Sequence, residues 1–362
     1  MKNIFIFGYY GFDNLGDEAI LLSIIKQIKN SREKFELTAL VKEDANAKAK
    51  YGINTVSRKS IFRIIDIIKK SDIIISGGGS ILQDVTSSRS LMYYLAIILI
   101  SKMLNKKVMF YANGFGPINK AHNRMIATCI INKVDVIAVR DYKSKELMQS
   151  MGIKNNILVT ADATFAMELL KENEAKNLIE EVAFDENKKA IGISVRQWKN
   201  LKNYKETVAK MGDYLSKLNY QIVFIPMQHP SDVEISKEIS AMMENESVVL
   251  EKKYAPNELI SIMGNLEMLI GMRLHSLIFA AISGVPMVGI EYDPKIKSFL
   301  DDFEQLSAGD VESLEFISFC TVVENTLHHR DEIIEKLSDK KRNMKAKVAN
   351  NFNLLVQLAQ DG

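Results

Sequence analysis

LIGMRLHSLIFAAISGVPMVGIEYD, Leu269–Asp293, reads as strand, helix, strand. An apolar run over Leu266–Gly271 stops at Met272-Arg273 and a small-residue helical stretch follows. Gly284 closes that stretch, and a second apolar run occupies Pro286–Ile290. Two short apolar runs joined by a helix-length crossover form the unit of a parallel sheet covered on both faces. Working outward, the same alternation fills the chain. In the first half, strands are predicted at Asn3–Phe7, Phe35–Val41, Asp72–Ser76, Lys107–Ala112, Val134–Val139 and Asn156–Thr160. In the second half they are predicted at Ala190–Val195, Gln221–Pro226, Ser247–Leu250, Leu266–Gly271 and Pro286–Ile290. The class is α/β. At 362 residues the chain exceeds what one hydrophobic core usually holds, so two domains are expected. The charged stretch KENEAKNLIEEVAFDENKK, 171–189, marks the linker between a Rossmann-like domain at 1–170 and a second at 190–335. Residues 336–362 read as a terminal helix packing back on the first domain. Two doubly wound domains facing across a cleft is a GT-B-like arrangement, and ligands of such sheets bind beyond the carboxyl ends of the strands.

Composition removes several function classes. Lys and Arg number 47 against 45 Asp and Glu, a net charge of +2, so the chain is no phosphate-coating nucleic-acid binder. The cysteines, Cys129 and Cys320, lack metal-ligand or redox spacing. MKNIFIFGYYGF at the start is a first buried strand rather than a signal-peptide core, and the greasy stretch from Leu91 falls short of the about 20 residues that span a bilayer. A cytoplasmic protein is expected. Lys59–Lys70 and Leu91–Lys107 are basic and amphipathic, which suits peripheral contact with the inner membrane face as well as ordinary cover for the sheet.

The loops after strands hold the chemistry. GYYGFDNLGDEAI (Gly8–Ile20) leads from the first strand into a helix, without the spacing of a dinucleotide fingerprint or a P-loop. Its Asp13 and Asp17 are candidate partners for a sugar hydroxyl, Asp17 equally a helix-dipole residue. Gly77, Gly78 and Gly79 in SGGGSILQD offer backbone amides to an anion or hydroxyl, or simply permit tight packing. Asn113 opens a similar loop, NGFGP. Arg140 in AVRDYKS and Arg196 in ISVRQW follow apolar runs directly, where a guanidinium can pair with a phosphate or carboxylate. For Arg140 the plainer alternative is a surface pair with Asp141, and Trp198 either covers a sugar ring or packs on the linker. Arg273 and His275 stand at the strand-to-helix junction of the segment quoted first, cationic groups at a helix N-terminus. His229 in IPMQHPSD and Glu291 also follow strands. No metal-ligand cluster is apparent, so no metal is expected.

The ordered set GYYGFDNLGDEAI, SGGGSILQD, NGFGP, AVRD, IPMQHPSD and MRLHSLIFAAISGVPMVGIEYDPK resembles the polysaccharide pyruvyl transferase family, closest to its CsaB branch. The resemblance implies a GT-B-like fold and phosphoenolpyruvate as donor substrate, with no further cofactor. It implies an acceptor N-acetylmannosamine in a lipid-linked secondary cell-wall polymer precursor, whose pyruvylated product anchors S-layer proteins. It assigns donor binding to Arg273, His275 and Arg140, and an acidic role in the first loop to Asp17 or Asp13. His275 is then the candidate for proton transfer. The fold and glycine loops would equally serve a GT-B glycosyltransferase using a nucleotide sugar, or a carbohydrate-binding module without turnover. The absent fingerprint disfavours a nicotinamide oxidoreductase.

Overall fold

Thirteen strands assemble into two separate parallel sheets in the computed structural model, which describes residues 2–43, 46–85, 87–182 and 184–360. Ala183 of the charged 171–189 stretch and the last two residues of the terminal segment lie outside the described residues. The chain divides into a first unit (Met1–Asp13, Asp17–Ala166, Met344–Gly362) and a second (Asn14–Gly16, Met167–Asn343).

The first unit contains β1 (Lys2–Phe7), β2 (Phe35–Val41), β3 (Asn54–Ser57), β4 (Ile73–Ser76), β5 (Lys107–Asn113), β6 (Val136–Val139) and β7 (Ile157–Val159), in the order β3-β2-β1-β4-β5-β6-β7. Alternate side chains of β1 point to opposite faces. Phe5 and Phe7 join Ile74, Val108 and Phe110 under the helices Ser88–Met103 and Ala121–Ile131. Ile4 and Ile6 join Ile73, Ile75 and Met109 under the helix Leu15–Lys29. That second face is completed by Leu355, Leu358 and Ala359 from the helix Arg330–Gln360. Asn351 Nδ2 donates to Ala161 O at 3.2 Å and Lys107 Nζ to Leu358 O at 2.9 Å, which hold this last stretch in place. Because Leu355 is fully buried, Leu355→Ala is expected to cost about 2–5 kcal/mol of stability, read from the urea midpoint. An unchanged midpoint would mean that the terminal helix is dispensable to this core.

The second unit contains β8 (Lys189–Ser194), β9 (Tyr220–Phe224), β10 (Ser247–Val249), β11 (Leu266–Gly271), β12 (Met287–Glu291) and β13 (Leu306–Asp310), ordered β10-β9-β8-β11-β12-β13. Ile191, Ile193, Ile222, Phe224, Met268, Ile270, Val288 and Ile290 form its core with helical residues such as Val208, Met211, Ile239 and Phe319. The charged 171–189 stretch supplies a helix, Glu172–Glu181, and the first residue of β8.

Every neighbouring strand pair is parallel. Strand order reverses between β1 and β4 in the first sheet and between β8 and β11 in the second. Chain direction there leaves the two adjacent loops diverging, which opens the crevice where doubly wound sheets take ligands. Two strands were not anticipated, β3 (NTVS) and β13 (LSAGD). Both are sheet edges. With one side unpaired and a face partly wet, neither needs the continuous apolar run that marks an interior strand. The stretch expected as a strand from Val134 begins only at Val136, because Val134 N donates back to Ile131 O at 2.9 Å in a turn.

Candidate functional site

In the first unit, the loops after β1 and β4 flank the switch point. Tyr10 is buried, and its hydroxyl donates to Gly77 O. Burial, reinforced by Asp17, pushes that phenol well above its ordinary range, so it stays a neutral donor. A Cβ on Gly77 would stand 2.3 Å from the same hydroxyl oxygen, so only glycine admits this contact. Glu18 is committed to structure. It accepts from Gly11 N at 2.8 Å and from the Tyr51 hydroxyl, and pairs with Lys50 at 2.9 Å. Asp13 and Asp17 therefore remain the candidate acids of this loop, and they differ in setting. Asp13 is exposed, with φ of 56°. Asp17 lies in the first turn of its helix, with Oδ1 3.0 Å from where a Gly79 Cβ would stand.

Gly78 and Gly79 have φ of 73° and 66°, in the left-handed region that favours glycine. Asn113, fully buried, donates from Nδ2 to Ser76 Oγ at 3.0 Å and to Gly78 O at 3.3 Å, so its amide braces the glycine loop. Arg140 follows β6 and lies on the Gly114 backbone, where an added Cβ would be 3.0 Å from both Nε and Nη2. It donates from Nη1 to Asp162 Oδ2 at 2.7 Å and from Nη2 to Ser80 Oγ at 3.2 Å. Burial opposes its charge, but Asp162 and Asp141 outweigh burial and raise the guanidinium pKa further. Asp141 meanwhile caps the helix Tyr142–Ser150 by accepting from Ser144 N at 2.7 Å, so its tie to Arg140 at 3.6 Å is secondary. The first unit thus gathers Asp17, Gly77, Gly78, Gly79, Asn113 and Arg140 at one sheet end, with Asp13 apart on the exposed part of the loop.

In the second unit the switch point lies between the loops after β8 and β11. Arg196 donates from Nη1 to the Tyr292 hydroxyl at 3.1 Å, and its guanidinium lies 4.7 Å from the centre of the Tyr292 ring and 5.7 Å from that of Trp198. Trp198 is therefore packed against a cation and a tyrosine of its own unit. Arg273 precedes the helix Leu274–Ser283. Its Nε donates to Asp232 Oδ2 at 2.9 Å, and its Nη2 donates to Asp232 Oδ1 at 2.5 Å and to Gln228 Oε1 at 3.0 Å. Asp232 is itself fixed by Met227 N at 3.2 Å and Gln228 N at 3.0 Å. The fork is almost sealed from solvent, the side chains being 13% and 1% exposed. A bidentate pair uses one edge of the guanidinium and leaves Nη1, aimed by that pair, to donate elsewhere.

His275 occupies the first turn of the same helix, with Nε2 buried. Its imidazole rests on Gly16, where an added Cβ would be 2.1 Å from Nδ1. Leu15 N donates to Met227 O at 2.8 Å, which secures the Asn14–Gly16 segment within the second unit. His229, after β9, is half-buried next to Gln228, and Glu291 ends β12. Asp293 caps the helix Pro294–Phe303, accepting from Lys295 N at 2.9 Å. Three residues that matter here were not singled out from sequence: Asp162, Asp232 and Gly16. Asp162 lies just past the carboxyl end of β7, in TADATF, which is the signal that could have found it, whereas Asp232 lies in the first turn of the helix Ser231–Ser240 that follows the loop after β9. Among the described residues, no group of three or more His, Cys, Asp or Glu is arranged to hold a metal ion, and no helix is long and apolar enough to cross a membrane.

Known proteins share both the fold and the sequence pattern. UDP-GlcNAc 2-epimerase from Neisseria meningitidis, bound to UDP-GlcNAc, matches with a TM-score of 0.69 at 13% identity over 100% of each chain. The MnaA–UDP co-structure from S. aureus matches at 0.67 and 12% identity, over 99% of this chain and 98% of that one. At such identities the likeness shows the fold alone, a GT-B fold. The amylovoran biosynthesis protein AmsJ of Erwinia amylovora is 26% identical over 295 residues, which is 75% of this chain and 69% of that protein. The family model for polysaccharide pyruvyl transferases matches residues 14–294, a span that takes in the glycine loop, Arg140, the Arg273–Asp232 fork and His275. The chain belongs to the polysaccharide pyruvyl transferase family.

Proposed function

We propose that this transferase moves the pyruvyl group of phosphoenolpyruvate onto two hydroxyls of one sugar, forming a cyclic ketal. The acceptor in this reading is N-acetylmannosamine of a lipid-linked secondary cell-wall polymer precursor, as in the CsaB branch, and the product serves S-layer anchoring at the cell surface. The observation that carries the donor assignment is the Arg273–Asp232 fork. A guanidinium pre-aimed by a buried carboxylate is suited to a small phosphorylated carboxylate, which asks for directed donors more than for bulk charge. Arg140, held by a single bond from Nη1 to Asp162, is a proposed substrate ligand of the first unit. Arg196, His229 and Glu291 are proposed substrate contacts of the second unit, and the amides of Gly77, Gly78 and Gly79 those of the first. AmsJ's place in amylovoran biosynthesis supports a polysaccharide acceptor.

The chemistry needs a proton at the methylene carbon, which makes C2 electrophilic. His275 is the proposed general acid. A first sugar hydroxyl adds to C2, losing its proton to a general base. We assign that role to Asp17 rather than Asp13, because Asp17 lies on the glycine loop. The C2–O bond to phosphate then breaks and the second hydroxyl closes the ring. In balance, two protons leave the hydroxyls, one is matched by the proton entering the new methyl group, and the other departs with the inorganic phosphate as hydrogen phosphate. The test is turnover in heavy water with a synthetic N-acetylmannosamine glycoside bearing a lipid diphosphate. One phosphate per ketal, released only with acceptor, and one deuterium in each ketal methyl group are expected. No acceptor-dependent release, together with tight UDP binding, would replace this reading with nucleotide-sugar transfer.

A further inference from the structure

The first unit carries a second polar cluster at the carboxyl ends of its strands, beside the groups assigned above. The loops after β1, β2 and β3 are bonded to one another: Lys42 N donates to Tyr10 O at 3.0 Å and Arg58 N to Val41 O at 2.8 Å. They present the stacked rings of Tyr9 and Phe12, whose centres are 4.0 Å apart. Two cations share the Phe12 ring, Lys42 Nζ at 5.4 Å and the Arg58 guanidinium at 5.3 Å from its centre. Arg58 also lies 5.0 Å from the centre of the Tyr93 ring. Among the described residues neither cation forms an ion pair with a carboxylate, in contrast to Arg140 and Arg273. A cation steadied by aromatic faces is oriented without being neutralised, so its charge remains available to an anion. Past Lys59 and Ser60, the surface beyond Arg58 turns apolar. The helix Ile61–Lys70 opens with Ile61 at 61% and Phe62 at 90% exposure, while Ile64 and Ile68 on its other side are buried. Within five residues the surface changes from guanidinium to bare aromatic.

An anion site bordered by exposed apolar side chains matches a ligand that is itself a phosphate bonded to a hydrocarbon. We propose that Lys42 and Arg58 bind the phosphate groups tethering the acceptor sugar to its lipid, and that Ile61 and Phe62 take the first hydrocarbon units of that lipid. This rests on the lipid-linked acceptor proposed above. It adds residues in the loops after β2 and β3 that the donor chemistry does not use.

Binding of farnesyl diphosphate to the full chain tests the site without phosphoenolpyruvate, with farnesol and inorganic diphosphate as partial ligands. Farnesyl diphosphate is expected to bind tightest. Arg58→Gln and Lys42→Gln should each weaken it by about tenfold, the worth of one charge-assisted contact. Phe62→Ser should weaken farnesyl diphosphate while leaving inorganic diphosphate unchanged. Unaltered affinity in the Lys42→Gln/Arg58→Gln double variant overturns the proposal, as does farnesol binding equal to that of farnesyl diphosphate. Adsorption to anionic vesicles without affinity for free farnesyl diphosphate would assign the surface to the membrane instead, and also overturns it. A chain that binds the probe but releases no phosphate from phosphoenolpyruvate keeps this site and loses pyruvyl transfer. One that transfers pyruvate but ignores the probe loses only this site.

Discussion

Asp232→Ala is expected to lower kcat/KM for phosphoenolpyruvate by about 10²–10³-fold, close to the effect of Arg273→Ala, although the proposed donor contact is made by the arginine. The carboxylate holds Nε and Nη2 of Arg273 at once and receives two backbone amides, so it sets both the position and the plane of the guanidinium. Without it, a nearly buried cation has only Gln228 left from this fork, and the side chain is released from its single geometry. Removing one partner of a buried pair also destabilises, by about 3–5 kcal/mol, so the urea midpoint should fall in the same variant. Arg273→Lys separates charge from geometry: an ammonium keeps the charge but cannot fork, and it should recover only a small part of the activity. Steady-state kinetics across the series decide the matter. Wild-type kcat/KM in Asp232→Ala, or full activity in Arg273→Lys, would remove the fork from the donor site.

Gly16→Ala should reduce kcat by about 10²-fold, with His275→Ala losing about 10²–10⁴-fold, the usual range for a general acid or base. The reason is spatial. A methyl group at position 16 would sit 2.1 Å from Nδ1 and 2.2 Å from Cγ of His275, far inside contact distance, so the ring must turn out of its present place. If the glycine acts solely by making room for the imidazole, the Gly16→Ala/His275→Ala double variant should be no slower than His275→Ala alone. Near-normal turnover in His275→Ala would dismiss the histidine as proton donor. Multiplied losses in the double variant would instead show that Gly16 matters for the course of its own loop.

How far this could be seen beforehand follows from what kind of interaction each feature depends on. Interior strands such as β4 and β11 are buried on both faces, so IIIS and LEMLIG announce themselves as apolar runs. The edge strands β3 and β13 are not, and NTVS and LSAGD look like loop. Likewise Arg140, Arg273 and His275 are conspicuous because a charged or polar group directly after a buried strand has few structural excuses. Their supports are not conspicuous. Asp162 lies 22 residues from Arg140 and Asp232 lies 41 from Arg273, and only the winding of the sheets brings them together. Gly16 and His275 are further apart still along the chain, so no local pattern could have linked the glycine in GYYGFDNLGDEAI to the imidazole it accommodates.

The discontinuity of the two units bears on how the protein is made. Chains emerge from the ribosome in order, and domains generally fold as they appear, the N-terminal one first. Here the first unit waits for Met344 and the residues beyond it, whereas everything belonging to the second has emerged by Asn343. The later unit can therefore mature before the earlier one. Until Leu355 and Leu358 arrive, the nascent sheet of β1 to β7 has one greasy face only partly covered, by the helix Leu15–Lys29, the period in which a holdase would find most to bind.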